Sequence, residues 1–191
     1  MRFDATELIL IRHAPADTGG RLCGRRDVPL LDPDAPALLR LAERLSAVRR
    51  IVASPALRCR QTVAGLFPGR GAPPLDPRLW EQDFGAEDGR PHADVPDLGP
   101  LTTAELATRR PPGGESFANM VARVVPALEE VAAQGDGPVA IVAHAGTVRA
   151  GLARAMGAVP QALAFEIAPL SVTRLRCHPA GWSVVSVNLA G

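Results

Sequence analysis

Three short apolar runs do most to limit the folds open to this chain, because each is built from leucine and β-branched residues and each stops at polar or small ones. They are Glu7-Leu-Ile-Leu-Ile-Arg-His13, Arg50-Ile-Val-Ala-Ser54 ahead of Pro55, and Pro138-Val-Ala-Ile-Val-Ala-His144 ahead of Ala145-Gly146-Thr147. A continuous apolar run without alternation reads as a strand buried on both faces of a parallel sheet. Helical periodicities lie between and after the runs: residues 37–48, with Leu38, Leu41, Ala42 and Leu45 on one face, then 56–67, 116–133 and 147–156. Pro126 inside the third of these predicts a kink or a break into two segments.

This alternation predicts an α/β fold with a mainly parallel central sheet, helices on both faces and right-handed crossovers. The ligand site of such a sheet sits outside the carboxyl ends of its strands. Near the C-terminus, residues 171–177 and 182–188 flank the turn formers His178-Pro179-Ala180-Gly181 and predict an antiparallel hairpin of edge strands. Residues 86–114 carry Pro91, Pro96, Pro100, Pro111 and Pro112 and few apolar positions, which predicts a long, lid-like excursion. The 191 residues, 47% apolar and 21% charged, make one domain spanning 1–191.

A formal net charge of +1 supplies no global field to draw the chain onto nucleic acid or an anionic membrane, so any anion binding must be local. There is no lysine, and every permanent cation is therefore a planar arginine suited to bidentate contact with phosphate or carboxylate. Cys23, Cys59 and Cys177 are odd in number and lack a C-x-x-C spacing, which argues against a disulfide framework or a zinc site and fits a reducing cytoplasm. Asp4 and Glu7 precede an apolar run, Leu8 to Ile11, too brief for a signal or membrane-spanning segment.

The sheet reading gathers the basic residues. Arg12 and His13 end the first strand, Arg58 lies in the first turn after the second, and His144 ends the third. If these strands are parallel neighbours, the four side chains emerge at one sheet edge. Two fixed positive charges and two imidazoles can hold a phosphoryl dianion and offer it a nitrogen nucleophile. Glu81, after Trp80 and before Asp83-Phe84-Gly85, adds a carboxyl group able to protonate a leaving alkoxide where burial raises its pKa. Taken singly, each has a plainer reading as a structural residue. His92 and His178 read as solvated loop residues, as does the Arg109-Arg110 pair, with contact to a substrate anion as its other reading. Cys59 reads as a small buried hydrophobe, and Trp80 either packs under Glu81 or fills the core.

Five stretches in order along the chain carry a family resemblance. Leu10-Ile-Arg12-His13-Ala14 resembles the R-H-G signature of the histidine phosphatase superfamily, which includes the cofactor-dependent phosphoglycerate mutases. Ala53-Ser-Pro-Ala-Leu-Arg58-Cys-Arg-Gln61-Thr62 is similar to its S-S-P-L-x-R-x-x-Q-T stretch, and Leu79-Trp-Glu81-Gln-Asp-Phe-Gly85 with Gly89 to L-x-E-x-x-F-G-x-x-x-G. Pro112-Gly-Gly-Glu-Ser116 resembles P-G-G-E-S, and Val142-Ala-His144-Ala-Gly146 resembles V-S-H-G-G. The resemblance implies a phosphoglycerate mutase-like fold and metal-independent phosphoryl transfer in which His13 becomes phosphohistidine. It implies that Arg12, Arg58 and His144 bind the peripheral phosphoryl oxygens; backbone donors near Gly24, with Ala145, complete the expected phosphate-binding set. Glu81 stands where the first of the family's two branches keeps its proton donor; the second branch places an acid directly after the second histidine, where this chain has Ala145.

The chain departs from the pattern at Ala14 and Pro15, and Gly19 replaces the asparagine that many mutases carry. Gly20-Arg-Leu-Cys-Gly24-Arg-Arg-Asp27-Val-Pro29-Leu30 looks like the G-x-x-Y-G-R-x-D-x-P-L stretch of α-ribazole-5′-phosphate phosphatases of cobalamin biosynthesis, with Cys23 at the tyrosine position. The short segment before P-G-G-E-S favours a phosphatase over a mutase. The resemblance therefore implies a cytoplasmic phosphomonoester hydrolase acting on a small phosphorylated substrate, with no cofactor, metal, nucleic acid or membrane partner. A homodimer, a mutase, a broad-specificity phosphatase and an inactive anion-binding regulator stay open at this point.

Overall fold

Leucine and isoleucine alternate along the first run, and the fold uses both sets. In the computed structural model, which describes residues 5–32, 35–135 and 137–190, this run forms the central strand, β1 (Thr6–Arg12). Leu8 and Leu10 face one core layer and Ile9 and Ile11 the other, so β1 is buried on both faces. Asp4 lies outside the described residues.

The sheet has five strands in the order β2-β3-β1-β4-β5. β2 (Arg50–Ala53) and β3 (Val139–Ala143) run parallel to β1, with β3 between them and Arg12 level with Ala143. β4 (Val172–His178) and β5 (Gly181–Leu189) add an antiparallel hairpin on the other side. Only β5 is an edge strand of this hairpin; β4 pairs with β1 as well, and its Leu175 is fully buried. The antiparallel hairpin thus stands at the edge of the sheet as expected, with β5 outermost and β4 between it and β1. β4 can sit inside because alternate residues, Thr173, Leu175 and Cys177, supply a buried face, and Val172 is buried on the other side.

The helices α1 (Pro36–Arg44) and α2 (Leu57–Leu66) cover one face. On the other lie α3 (Thr103–Thr108), α4 (Phe117–Ala133) and α5 (Ala145–Met156). α1 stops four residues before the predicted end, although Leu45 and Val48 stay buried. Pro126 does not divide α4, which runs unbroken through it. The buried face made by Met120, Val124, Ala127 and Leu128 outweighs the one backbone hydrogen bond that proline removes.

Residues 86–114 are more ordered than the sequence suggested. They contain α3, opened by a capping box in which Thr102 and Glu105 satisfy each other's backbone amides, and Ala107 reaches the core. The stretch also pairs with the loop after β1: Leu22 N donates to Arg90 O at 2.9 Å and Gly89 N to Leu22 O at 2.7 Å. No helix among the described residues is long and apolar enough to cross a membrane.

Candidate active site

The ends of β1 and β3 are pinned together, and this sets where the two histidines emerge. His13 N donates to Ala143 O at 2.9 Å, and Leu170 N donates to Arg12 O at 3.1 Å. Leu170 holds φ at +58°, a left-handed conformation rare for leucine, to make that contact. His13 and His144 consequently leave neighbouring strands with ring centroids 5.3 Å apart and planes at 70°. Arg12 leaves β1 beside them and rests its Nη1 on Ile167 O at 2.5 Å.

His13 Nδ1 lies 2.7 Å from Ala14 O. A carbonyl only accepts, so Nδ1 carries the proton and Nε2 is left with the lone pair that a nucleophile needs. Burial pushes the imidazole pKa down to about 3, assisted by the Arg58 and Arg12 charges and opposed by the Ala14 hydrogen bond. The ring is therefore neutral at any ordinary pH.

His144 is fully buried at the start of α5, and both of its nitrogens are engaged. Arg58 Nη2 lies 3.3 Å from Nδ1 and Ser54 Oγ 2.9 Å from Nε2. Burial, then Arg58, hold the pKa of His144 well below the usual range. Trp80 stacks on this ring at 6.3 Å and 9° rather than under Glu81, and the guanidinium groups of Arg25 and Arg58 approach the indole at 5.7 and 5.9 Å. Cys59 is buried against Ala143 O and His144, and burial raises its thiol pKa to about 12, as expected of a structural residue.

Arg58, only 1% exposed, is aimed by the loop after β1, donating to Arg26 O at 3.0 Å and Gly24 O at 2.9 Å. Thr62 Oγ1 links the first two motifs, accepting from Ala14 N at 3.0 Å and donating to Arg58 O at 2.7 Å. Gln61 Oε1 accepts from Leu30 N at 2.8 Å, which explains the adjacent glutamine. Gly24 departs from its expected role as an amide donor to phosphate. Its N–H is taken by Asp88 Oδ1 at 3.1 Å, and the same carboxylate accepts from Arg25 N at 2.8 Å and Arg26 N at 3.1 Å. Glycine is needed there because a Cβ would overlap Gln82 O and press on Phe84. Ala145 sits in the first turn of α5, where backbone amides have no partner within the helix.

Glu81 joins the group through its carboxylate, which accepts from Gln82 N at 3.0 Å and from Gly146 N, at the start of α5, at 3.4 Å. Its backbone is clamped from α4: Arg123 donates to Arg78 O at 2.6 Å, Trp80 O at 2.9 Å and Glu81 O at 3.1 Å. Arg123 in turn pairs with Glu115 of the P-G-G-E-S stretch, and Glu115 Oε1 also accepts from Asp83 N at 3.0 Å. Gly114 of that stretch permits close approach, since a Cβ on it would overlap Asp83 O. The structure thus brings Arg12, His13, Arg58, Glu81 and His144 together, while Arg109 is held by Glu87 and Arg110 by Gly114 O at 2.6 Å. His92 and His178 are exposed. Ser54, Asp88 and Arg123 went unrecognised in the sequence because two act on backbone groups remote in the chain and Ser54 acts on another side chain. Among the described residues, no three His, Cys, Asp or Glu side chains are grouped to hold a metal ion.

A neutral histidine with its lone pair on Nε2, two arginines, a second imidazole and a carboxyl group at the carboxyl end of a parallel sheet have the charge and the nucleophile that holding and attacking a phosphoryl group requires. The chain belongs to the histidine phosphatase superfamily, branch 1, whose family model matches residues 8–190. It is 31% identical over 166 residues to the glucosyl-3-phosphoglycerate phosphatase of Mycolicibacterium vanbaalenii, covering 78% of this chain and 74% of that one. The native structure of a mycobacterial glucosyl-3-phosphoglycerate phosphatase superposes with a TM-score of 0.84 at 28% identity, covering 97% of this chain and 99% of the other. The α-ribazole phosphatase of Shigella flexneri shares the fold, with a TM-score of 0.82, 21% identity and coverage of 97% and 98%. The protein is a phosphatase of this superfamily.

Proposed function

We propose that the protein hydrolyses a small phosphomonoester in two steps through a phosphohistidine at His13. The observation that carries this reading is the Nδ1–H contact to Ala14 O, which leaves a neutral Nε2 lone pair among Arg12, Arg58 and His144. Nε2 attacks phosphorus in line, the P–O bond to the alcohol breaks, and protonated Glu81 gives its proton to the departing alkoxide. The arginines and His144 neutralise charge on the three peripheral oxygens. Water then attacks the phosphohistidine, Glu81 takes its proton, and inorganic phosphate leaves with His13 restored.

For the substrate, a glycerate-type phosphate ester of the glucosyl-3-phosphoglycerate kind stands ahead of α-ribazole 5′-phosphate. The relatives named for the former reach 31% identity, whereas the α-ribazole phosphatase at 21% supports the fold alone. The Gly20–Leu30 stretch still supports the cobalamin reading. The free cysteines support a cytoplasmic location. Phosphate release from glucosyl-3-phosphoglycerate, α-ribazole 5′-phosphate and 3-phosphoglycerate, each with His13→Ala as control, tests both levels. Release from any of them that is lost in the variant supports the chemistry, and the ranking of kcat/KM decides the substrate. Release that persists in His13→Ala removes the proposal.

A further inference from the structure

His144 is held from both sides by groups whose proton roles can be assigned. Arginine has no acceptor, so at 3.3 Å its Nη2 donates into the Nδ1 lone pair of His144. The proton of the neutral ring therefore sits on Nε2 and is donated to Ser54 Oγ at 2.9 Å. Ser54 is wholly buried, and its Oγ also lies 3.4 Å from Ala56 N, which donates to it. The donor-only Arg58 sets the tautomer, with the lone pair on Nδ1, and the Ser54 hydroxyl, able to accept as well as donate, receives the Nε2–H and holds the ring in place.

We propose that Ser54 is a positioning residue that, opposite Arg58, holds His144 as its Nε2–H tautomer, so that His144 becomes a hydrogen-bond donor to the phosphoryl group only by taking up a proton at Nδ1 together with the ligand. This rests on the reading that His144 contacts the phosphoryl group. A ligand monoanion can bring the proton itself: its P–O–H bond breaks, the proton goes to Nδ1, and a dianion is left facing an imidazolium. A ligand that arrives as the dianion draws the proton from solvent. In either case Nε2–H stays on Ser54, and the Arg58 N–H released from Nδ1 turns to a phosphoryl oxygen. The charge balance makes the two events one. The groups around the ring are Arg58 and Cys59 from α2, Arg12 from β1 and His13 directly after it, Arg123 from α4, and Glu81, whose carboxylate meets the start of α5. Three arginines disfavour an imidazolium here until a dianion offsets them, in keeping with the depressed pKa of the free ring.

Calorimetry with inorganic phosphate, in buffers of differing ionisation enthalpy, measures the proton uptake. The second ionisation of inorganic phosphate, about one unit above the value of about 6 for a phosphomonoester, sets the window: uptake is expected to approach about one proton per phosphate above about pH 8 and to fall toward zero at about pH 5. Nitrogen NMR of the histidine rings should show Nε2–H for free His144 and both nitrogens protonated in the complex. Ser54→Ala should leave the Nε2–H without its oxygen partner, loosen the ring and weaken phosphate binding about 10-fold. Phosphate binding without proton uptake at about pH 8, or a free His144 protonated on Nδ1, overturns the proposal in the wild-type protein, whatever the fate of the variant. Equal phosphate affinity in wild type and His144→Gln would instead remove the site reading beneath it.

Discussion

Arg123 Nη2 donates to the main-chain carbonyl of Glu81 at 3.1 Å, so the residue proposed as the proton donor is held through its backbone by a side chain on α4. The same guanidinium grips the carbonyls of Arg78 and Trp80 and pairs with Glu115. One side chain therefore joins the acid loop, the P-G-G-E-S stretch and a core helix. Arg123→Ala should lower kcat by about 10²-fold with a smaller change in KM, because Glu81 is displaced while the phosphate ligands remain. It should also cost about 2 kcal/mol of stability, read from denaturant titration, since Glu115 loses its main partner.

Gly146 sits where a methyl group would collide with the Glu81 carboxylate and the Met120 side chain. Gly146→Ala should push the carboxylate from its seat and reduce kcat by about 10²-fold. His13 should still be phosphorylated by substrates with good leaving groups, and rapid-quench kinetics would separate that first step from overall turnover.

Glu81→Gln should act unevenly. Esters of acidic phenols, which leave without a proton, should lose far less in phosphorylation rate than alkyl esters, which should lose about 10²- to 10⁴-fold. A plot of rate against leaving-group pKa is the check, and a uniform loss across the series would contradict the assignment of Glu81 as acid.

The buried histidines also set a pH dependence of stability. His13 titrates near 6.5 when unfolded but at about 3 in the fold, where burial disfavours its charge. Between these values the unfolded chain binds a proton that the native state refuses, so stability is fully present above about pH 6.5 and is lost as the pH falls toward about 3. His144 is shifted in the same direction. Urea titrations should show this decline, and His13→Gln should make it shallower.

Much of this was readable in the sequence, for physical reasons specific to each part. β1 and β3 declare themselves because a strand covered on both faces must be apolar throughout, and His13 and His144 stand out as the polar residues that end them. α3 was missed because residues 86–114 lack apolar periodicity; Thr102-x-x-Glu105 was the available signal, a capping box three residues apart. The edge hairpin is legible from its turn formers, whereas its neighbour is not, because the alternation in β4 does not reveal that β1 lies beside it. Gly24 was expected to donate to phosphate, and only the fold shows that Asp88, 64 positions away, claims its amide. Arg123 carried no sequence mark at all, since carbonyl oxygens as partners leave no trace in residue type.

The most direct test of the account is the location of the phosphoryl group during turnover. Glu81→Gln enzyme mixed with radiolabelled phosphomonoester and quenched in alkali should carry an alkali-stable, acid-labile label. Peptide mapping should place that label on His13, and the His13→Ala, Glu81→Gln double variant should carry none. A label on another residue, or full-rate hydrolysis by His13→Ala, would contradict the phosphohistidine mechanism.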